Sequence, residues 1–131
     1  MRPGRTILAI LVGYLSLILL DLIGGAMLGG AFRGRSSSGE IIGGEFVVFI
    51  SGIIAGAITA RMAPYRPLSH AGALGLSIIS VTVLAAAFTR PVPHQVYPSW
   101  YPYAAALLGG VGAFVGGALA AKSNRPPEDA A

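Results

Sequence analysis

Apolar residues in this chain fall into four long blocks, with polar and helix-breaking residues confined to short stretches between them. The blocks run from about Thr6 to Leu28, Ile41 to Arg61, Leu68 to Phe88 and Tyr101 to Ala121. Each is long enough to cross a hydrocarbon core as a helix, which takes roughly 20 apolar residues. Between the first two lies a polar turn, Arg33-Gly34-Arg35-Ser36-Ser37-Ser38-Gly39, and Ala63-Pro64-Tyr65-Arg66-Pro67 breaks the second block from the third. Arg90 to Pro102 is the longest loop, and Ser123 to Ala131 is a short tail expected to be disordered. The pattern predicts an all-α, polytopic membrane protein, with residues 1–131 forming a single transmembrane domain, a four-helix bundle with short loops.

Composition sharpens this reading. Hydrophobic residues make up 54% of the 131, charged residues 11%, and mean hydropathy is +0.73. A soluble domain carries about 25% charged residues, so this chain has too few to cover a water-facing surface. The start, Arg2-Pro3-Gly4-Arg5 before an apolar run, looks like a signal peptide. The run is too long for that role and lacks a small-x-small cleavage pattern, so an uncleaved first helix is expected.

The net charge of +4 sits at the ends of the apolar blocks, a pattern of membrane orientation rather than of nucleic-acid binding. With four spans, Arg2, Arg5, Arg61, Arg66, Lys122 and Arg125 share one side, against Arg33, Arg35 and Arg90 on the other. The positive-inside rule then places both termini in the cytoplasm. Tyr97, Trp100, Tyr101 and Tyr103 crowd the opposite loop and suit the headgroup region, where an aromatic ring buries its body and wets its polar tip.

Turning each block by about 100° per residue gathers its small residues on one face. Gly52 and Gly56, continued by Thr59 and Ala60, mark the second helix, and Gly109, Gly112, Ala113, Gly116 and Ala120 mark the fourth. Gly13 and Gly24 mark the first. Helices in lipid gain nothing from burying leucine, so small residues that let backbones approach identify contact faces.

Asp21 and Glu45 are the acids inside the four blocks, and an intramembrane acid is a candidate cation or proton site. The plainer expectation is structural: Asp21 bonded to Ser16, Ser80 or Thr82, and Glu45 meeting headgroups or Arg33, Arg35 or Arg90. His70 and His94 fall on opposite sides of the membrane, so they cannot ligate one haem together. Either alone is a candidate axial ligand, against the plainer role of an interfacial hydrogen-bonding histidine. With no cysteine and two histidines, no metal site is expected, and no cofactor. The serines have no accompanying base, so nucleophilic catalysis lacks support.

Several motifs resemble those of a broad group of small, uncharacterised four-helix bacterial membrane proteins. They are the Arg-rich start, Gly52-x-x-Ala55-Gly56-x-x-Thr59-Ala60-Arg61, Pro64-x-Arg66-Pro67-x-x-His70-Ala71 and Pro98-x-Trp100-Tyr101. The resemblance implies a bacterial inner-membrane location and no particular activity. The expected role is a non-enzymatic structural or accessory subunit. It would contact membrane lipids and pack through Gly-rich faces against other membrane subunits or copies of itself, without nucleic acid. The alternative is a small oligomeric transporter or channel using Asp21, since small multidrug transporters have a similar length and an acid in their first helix. The aromatic-lined pocket of those transporters is missing from the first three blocks.

Overall fold

The structure, a computed structural model, describes residues 3–32, 38–63, 65–89 and 97–123. They form four helices and, among the described residues, no strand: α1 (Pro3–Phe32), α2 (Ser38–Met62), α3 (Pro67–Phe88) and α4 (Tyr101–Ser123). All four are long and apolar enough to cross a membrane. At 1.5 Å per residue, the 30 residues of α1 reach about 45 Å, well beyond a hydrocarbon core of about 30 Å.

Every helix outruns its apolar block or matches it, α1 by several residues at each end. Apolar length reports how much chain suits hydrocarbon, whereas backbone hydrogen bonding continues until something stops it. Pro3, Pro67 and Pro102 sit at the starts of α1, α3 and α4, where a missing N–H costs nothing. Thr89 closes α3, its N–H and hydroxyl both donating to the Ala85 carbonyl at 2.9 and 2.6 Å. Arg61 and Lys122 occupy the last turns of α2 and α4, favourably placed against the helix dipoles. Between α2 and α3, Arg66 takes a left-handed conformation (φ 54°) that turns the chain tightly into Pro67, and its carbonyl accepts from the N–H of Ser69.

The helices are not packed equally. α2 runs along α4 over the most extensive interface, α3 packs on α4, and α1 leans on α2 with a lesser contact to α3. Among the described residues the backbones of α1 and α4 stay more than 8 Å apart, Cα to Cα. Leu17, Ala55, Leu74, Ile78 and Ala113, drawn from all four helices, form the buried cluster, with Ile10 and Tyr14 packed against it.

The α2/α4 seam is built from backbone. A Cβ on Gly52 would meet the Gly109 carbonyl, one on Gly56 the Ala113 carbonyl, and ones on Gly112 and Gly116 the carbonyls of Phe49 and Ile53. In each case the glycine Cα–H that replaces a side chain points at a carbonyl. Such Cα–H···O contacts contribute roughly 0.5–1 kcal/mol each. Gly75 of α3 approaches the Gly110 carbonyl, and Gly117 of α4 makes room for the Ala71 side chain. The α1/α2 seam uses a side-chain bond instead: the buried Thr59 hydroxyl donates to the Ala9 carbonyl at 3.3 Å, and Gly13 leaves room for it. Gly24 admits Val47 further along.

Candidate functional site

The two ends of the bundle differ in chemistry. The starts of α1 and α3 and the ends of α2 and α4 gather Arg5, Arg61, Arg66 and Lys122, all exposed, and we refer to this as the basic end. The other end carries the aromatic segment that leads into α4. Toward that end lie all the described acids: Asp21, Glu40 and Glu45.

α1 presents Asp21 eleven residues before its last residue, about 16 Å along the helix, so the acid lies near mid-helix. Ser51, buried at the middle of α2, stands beside the Asp21 carboxyl within hydrogen-bonding reach, while Asp21 Oδ1 meets no donor among the described residues. This differs from the sequence expectation: Ser16 instead donates to its own helix, to the Val12 carbonyl at 2.8 Å. Glu45 lies partly buried on α2, both carboxyl oxygens sheltered from solvent and without a hydrogen-bond partner among the described residues. The arginines proposed to meet it, Arg33, Arg35 and Arg90, lie outside the described residues.

Glu40 joins this group, since α2 starts three residues earlier than its apolar block and takes the acid into its first turn. There it favours the positive end of the helix dipole. Its Oε1 accepts a hydrogen bond from the Tyr97 hydroxyl at 3.0 Å. That bond, with burial and the nearby negative charge, raises the Tyr97 phenol above its ordinary value, because ionising it would forfeit the donor and set two anions together.

The aromatic segment folds over the acids. Tyr97 and Tyr101 stack with centroids 4.8 Å apart and planes 17° from parallel, and Trp100 lies 6.4 Å from Tyr101 at 59°. The Tyr101 hydroxyl enters the space that a side chain on Gly44 would fill, close enough to feel the charges of Glu45, Asp21 and Glu40. Tyr103 is exposed. Three carboxyl groups, two phenols and a serine hydroxyl therefore line one stretch between α1, α2 and the start of α4. A carboxyl group sheltered from water inside a membrane is a candidate to hold a proton or a cation, and Asp21 and Glu45 both keep oxygens without a donor among the described residues. Among the described residues no group of three or more histidines, aspartates and glutamates is close enough to hold a metal ion.

His70 is engaged through both ring nitrogens. Nδ1 lies 3.0 Å from the Arg66 carbonyl, and Nε2 lies 3.1 Å from the Thr6 hydroxyl of α1. A carbonyl only accepts, so Nδ1 carries a proton, and the neutral ring takes the Thr6 hydroxyl as donor to Nε2. The histidine thus ties the first turn of α3 to α1. His94 lies outside the described residues.

Glu40, Ser51 and Thr59 gain these roles only through inter-helix register. Thr59 lies on the small-residue stripe of α2, which was its one signal in the sequence. Searches against protein-family profiles, curated proteins and solved structures return no match. The resemblance to small four-helix bacterial membrane proteins rests on its motifs alone.

Proposed function

We propose that this chain is a structural or accessory subunit of a membrane complex, without turnover of its own, that docks against other membrane subunits through the outer face of α1. The observation that carries this reading is the contrast among its glycines. Those on the α2/α4 and α3/α4 seams are matched to neighbouring atoms, whereas a side chain on Gly4, Gly25 or Gly29 of α1 would meet nothing within 4 Å. These three fall on one line with Leu8, Leu11, Leu15, Ile18 and Leu22, at alternating spacings of four and three, all exposed. That spacing is the seam along which a second helix lies, and Gly25-x-x-x-Gly29 allows its backbone to come close.

The expected Gly-rich docking faces of α2 and α4 are occupied by each other, which leaves the line of open glycines on α1 as the docking face in this reading. In this reading the protein resides in a bacterial inner membrane with both termini cytoplasmic. The clustering of Arg5, Arg61, Arg66 and Lys122 at one end supports that orientation. The test is extraction in mild detergent. The wild type should come out with stoichiometric membrane partners, and Gly25→Leu with Gly29→Leu should release them while the bundle stays folded. Isolation of the wild type as a lone monomer, or partner retention by the double variant, would refute the reading.

A proton- or cation-coupled carrier is the second reading, favoured by the carboxyl oxygens of Asp21 and Glu45 that lack partners among the described residues. It predicts substrate-driven proton flux in proteoliposomes that Asp21→Asn abolishes. The accessory reading predicts that Asp21→Asn leaves function intact.

A further inference from the structure

The faces of α3 and α4 that turn away from the bundle enclose an apolar, open-sided groove of about 710 Å³. Its floor is made of glycine, Gly72 and Gly75 from α3 and Gly110 from α4, and the exposed side chains of Leu76 and Phe114 form its walls. It runs from Leu68 and Ser69 at the start of α3 to Ile79. The eleven helical steps from Leu68 to Ile79 span about 16 Å, close to half of a hydrocarbon core of about 30 Å and therefore to the depth of one leaflet.

Charge identifies the occupant. The groove opens at the basic end. Arg66 lies two residues before Leu68, and Lys122 lies eleven residues beyond Val111, a lining residue of α4. Eleven residues is close to three full turns, so Lys122 shares the face of Val111. Both cations are exposed, and neither is held in an ion pair among the described residues. Among the described residues the basic end carries four cations, Arg5, Arg61, Arg66 and Lys122, and no acid.

We propose that this groove binds one anionic phospholipid, its acyl chain lying over the glycine floor and its phosphate held by Arg66 and Lys122. A helix from a protein partner would need no charge at the mouth and would not stop at the depth of one leaflet. The site is separate from the α1 face and does not depend on the accessory reading.

The test uses the delipidated full-length chain in mild detergent, titrated with phosphatidylglycerol or with phosphatidylcholine of matched chains, bound lipid being counted by native mass spectrometry. Each cation near a phosphate favours the anionic lipid by about fivefold, so wild type should prefer phosphatidylglycerol roughly 30-fold. Arg66→Gln with Lys122→Gln should remove that preference by weakening phosphatidylglycerol, while phosphatidylcholine, whose choline cation offsets its phosphate, changes little. Gly72→Leu should weaken both lipids by filling the floor. Its new side chain starts in open space, with Phe114 Cδ2 the nearest atom to its Cβ at 4.0 Å, so an unchanged melting temperature should accompany the loss. Equal affinity for the two lipids, or undiminished phosphatidylglycerol binding by a folded Gly72→Leu variant, would overturn the proposal. Capture of a partner helix by a photo-crosslinker placed at Leu76 in native membranes would do the same.

Discussion

The same short pattern, two glycines four residues apart, has opposite fates in two parts of this molecule. On α2 and α4, Gly52-x-x-x-Gly56 and Gly112-x-x-x-Gly116 are pressed into each other's backbones. On α1, Gly25-x-x-x-Gly29 faces open space. Burial follows the same division: over an 18-residue apolar stretch of each helix, 44% is buried in α4 against 17% in α1. The motif therefore marks a place where backbones can meet, and only the rest of the fold decides whether the partner lies within the chain.

The sharpest way to break this contrast is to make both seams bulky. Gly56→Leu or Gly116→Leu drives a side chain into the Ala113 or Ile53 carbonyl, atoms that cannot rotate away. Each should cost at least about 3 kcal/mol, the upper range for overpacking, and is expected to abolish the folded monomer in detergent. Ile53→Leu, a volume-conserving swap, should cost less than about 1.5 kcal/mol. Thermal melts by circular dichroism measure both, and equal tolerance would remove the packing argument.

At the α1/α2 seam the effect should be smaller, because one side-chain hydrogen bond stands where α2/α4 has a row of backbone contacts. Thr59→Val keeps the shape and removes the donor to Ala9. The expected loss is about 0.6–1.5 kcal/mol. A loss as large as that of Gly56→Leu would mean that α1 is held as firmly as α4.

On the open face, Gly25→Ala and Gly29→Ala should be neutral or stabilising by up to about 1 kcal/mol, since alanine is the better helix former and meets no atom. A destabilised variant would show that the face is not open.

The smallest effect concerns the Tyr97–Glu40 bond. The phenol is raised above its ordinary 10.0, so the bond's contribution is complete below pH 10.0 and is lost as pH rises through the folded value. Melting temperature should fall slightly more above that pH in wild type than in Tyr97→Phe. Identical alkaline profiles would remove the bond from the account.

Much of this fold could be read from the chain. Four apolar blocks with Pro, Gly and charge between them define the helices, and the 100° rotation places Gly52, Gly56, Gly112 and Gly116 on single faces. Which faces meet was not legible, because Gly25 and Gly29 look just like Gly52 and Gly56 until the helices are assembled. The same limit hid the acid group. Asp21 and Glu45 stand out in apolar surroundings, but Glu40 lies before the second apolar block. The approach of Ser51 and Tyr101 depends on register between helices that no local periodicity encodes.

The central claim, that the outer face of α1 is a docking surface, is tested most directly by cross-linking in native membranes. The chain has no cysteine, so single substitutions at Ile18, Leu22, Gly25 and Gly29, and at Leu76 as a control on another exposed face, give clean probes. Short bifunctional thiol-to-amine or thiol-to-thiol reagents should capture one discrete membrane partner from the α1 positions and none from Leu76. Uniform labelling without a discrete cross-linked species from the α1 line would show that lipid alone covers this face, and would contradict the account.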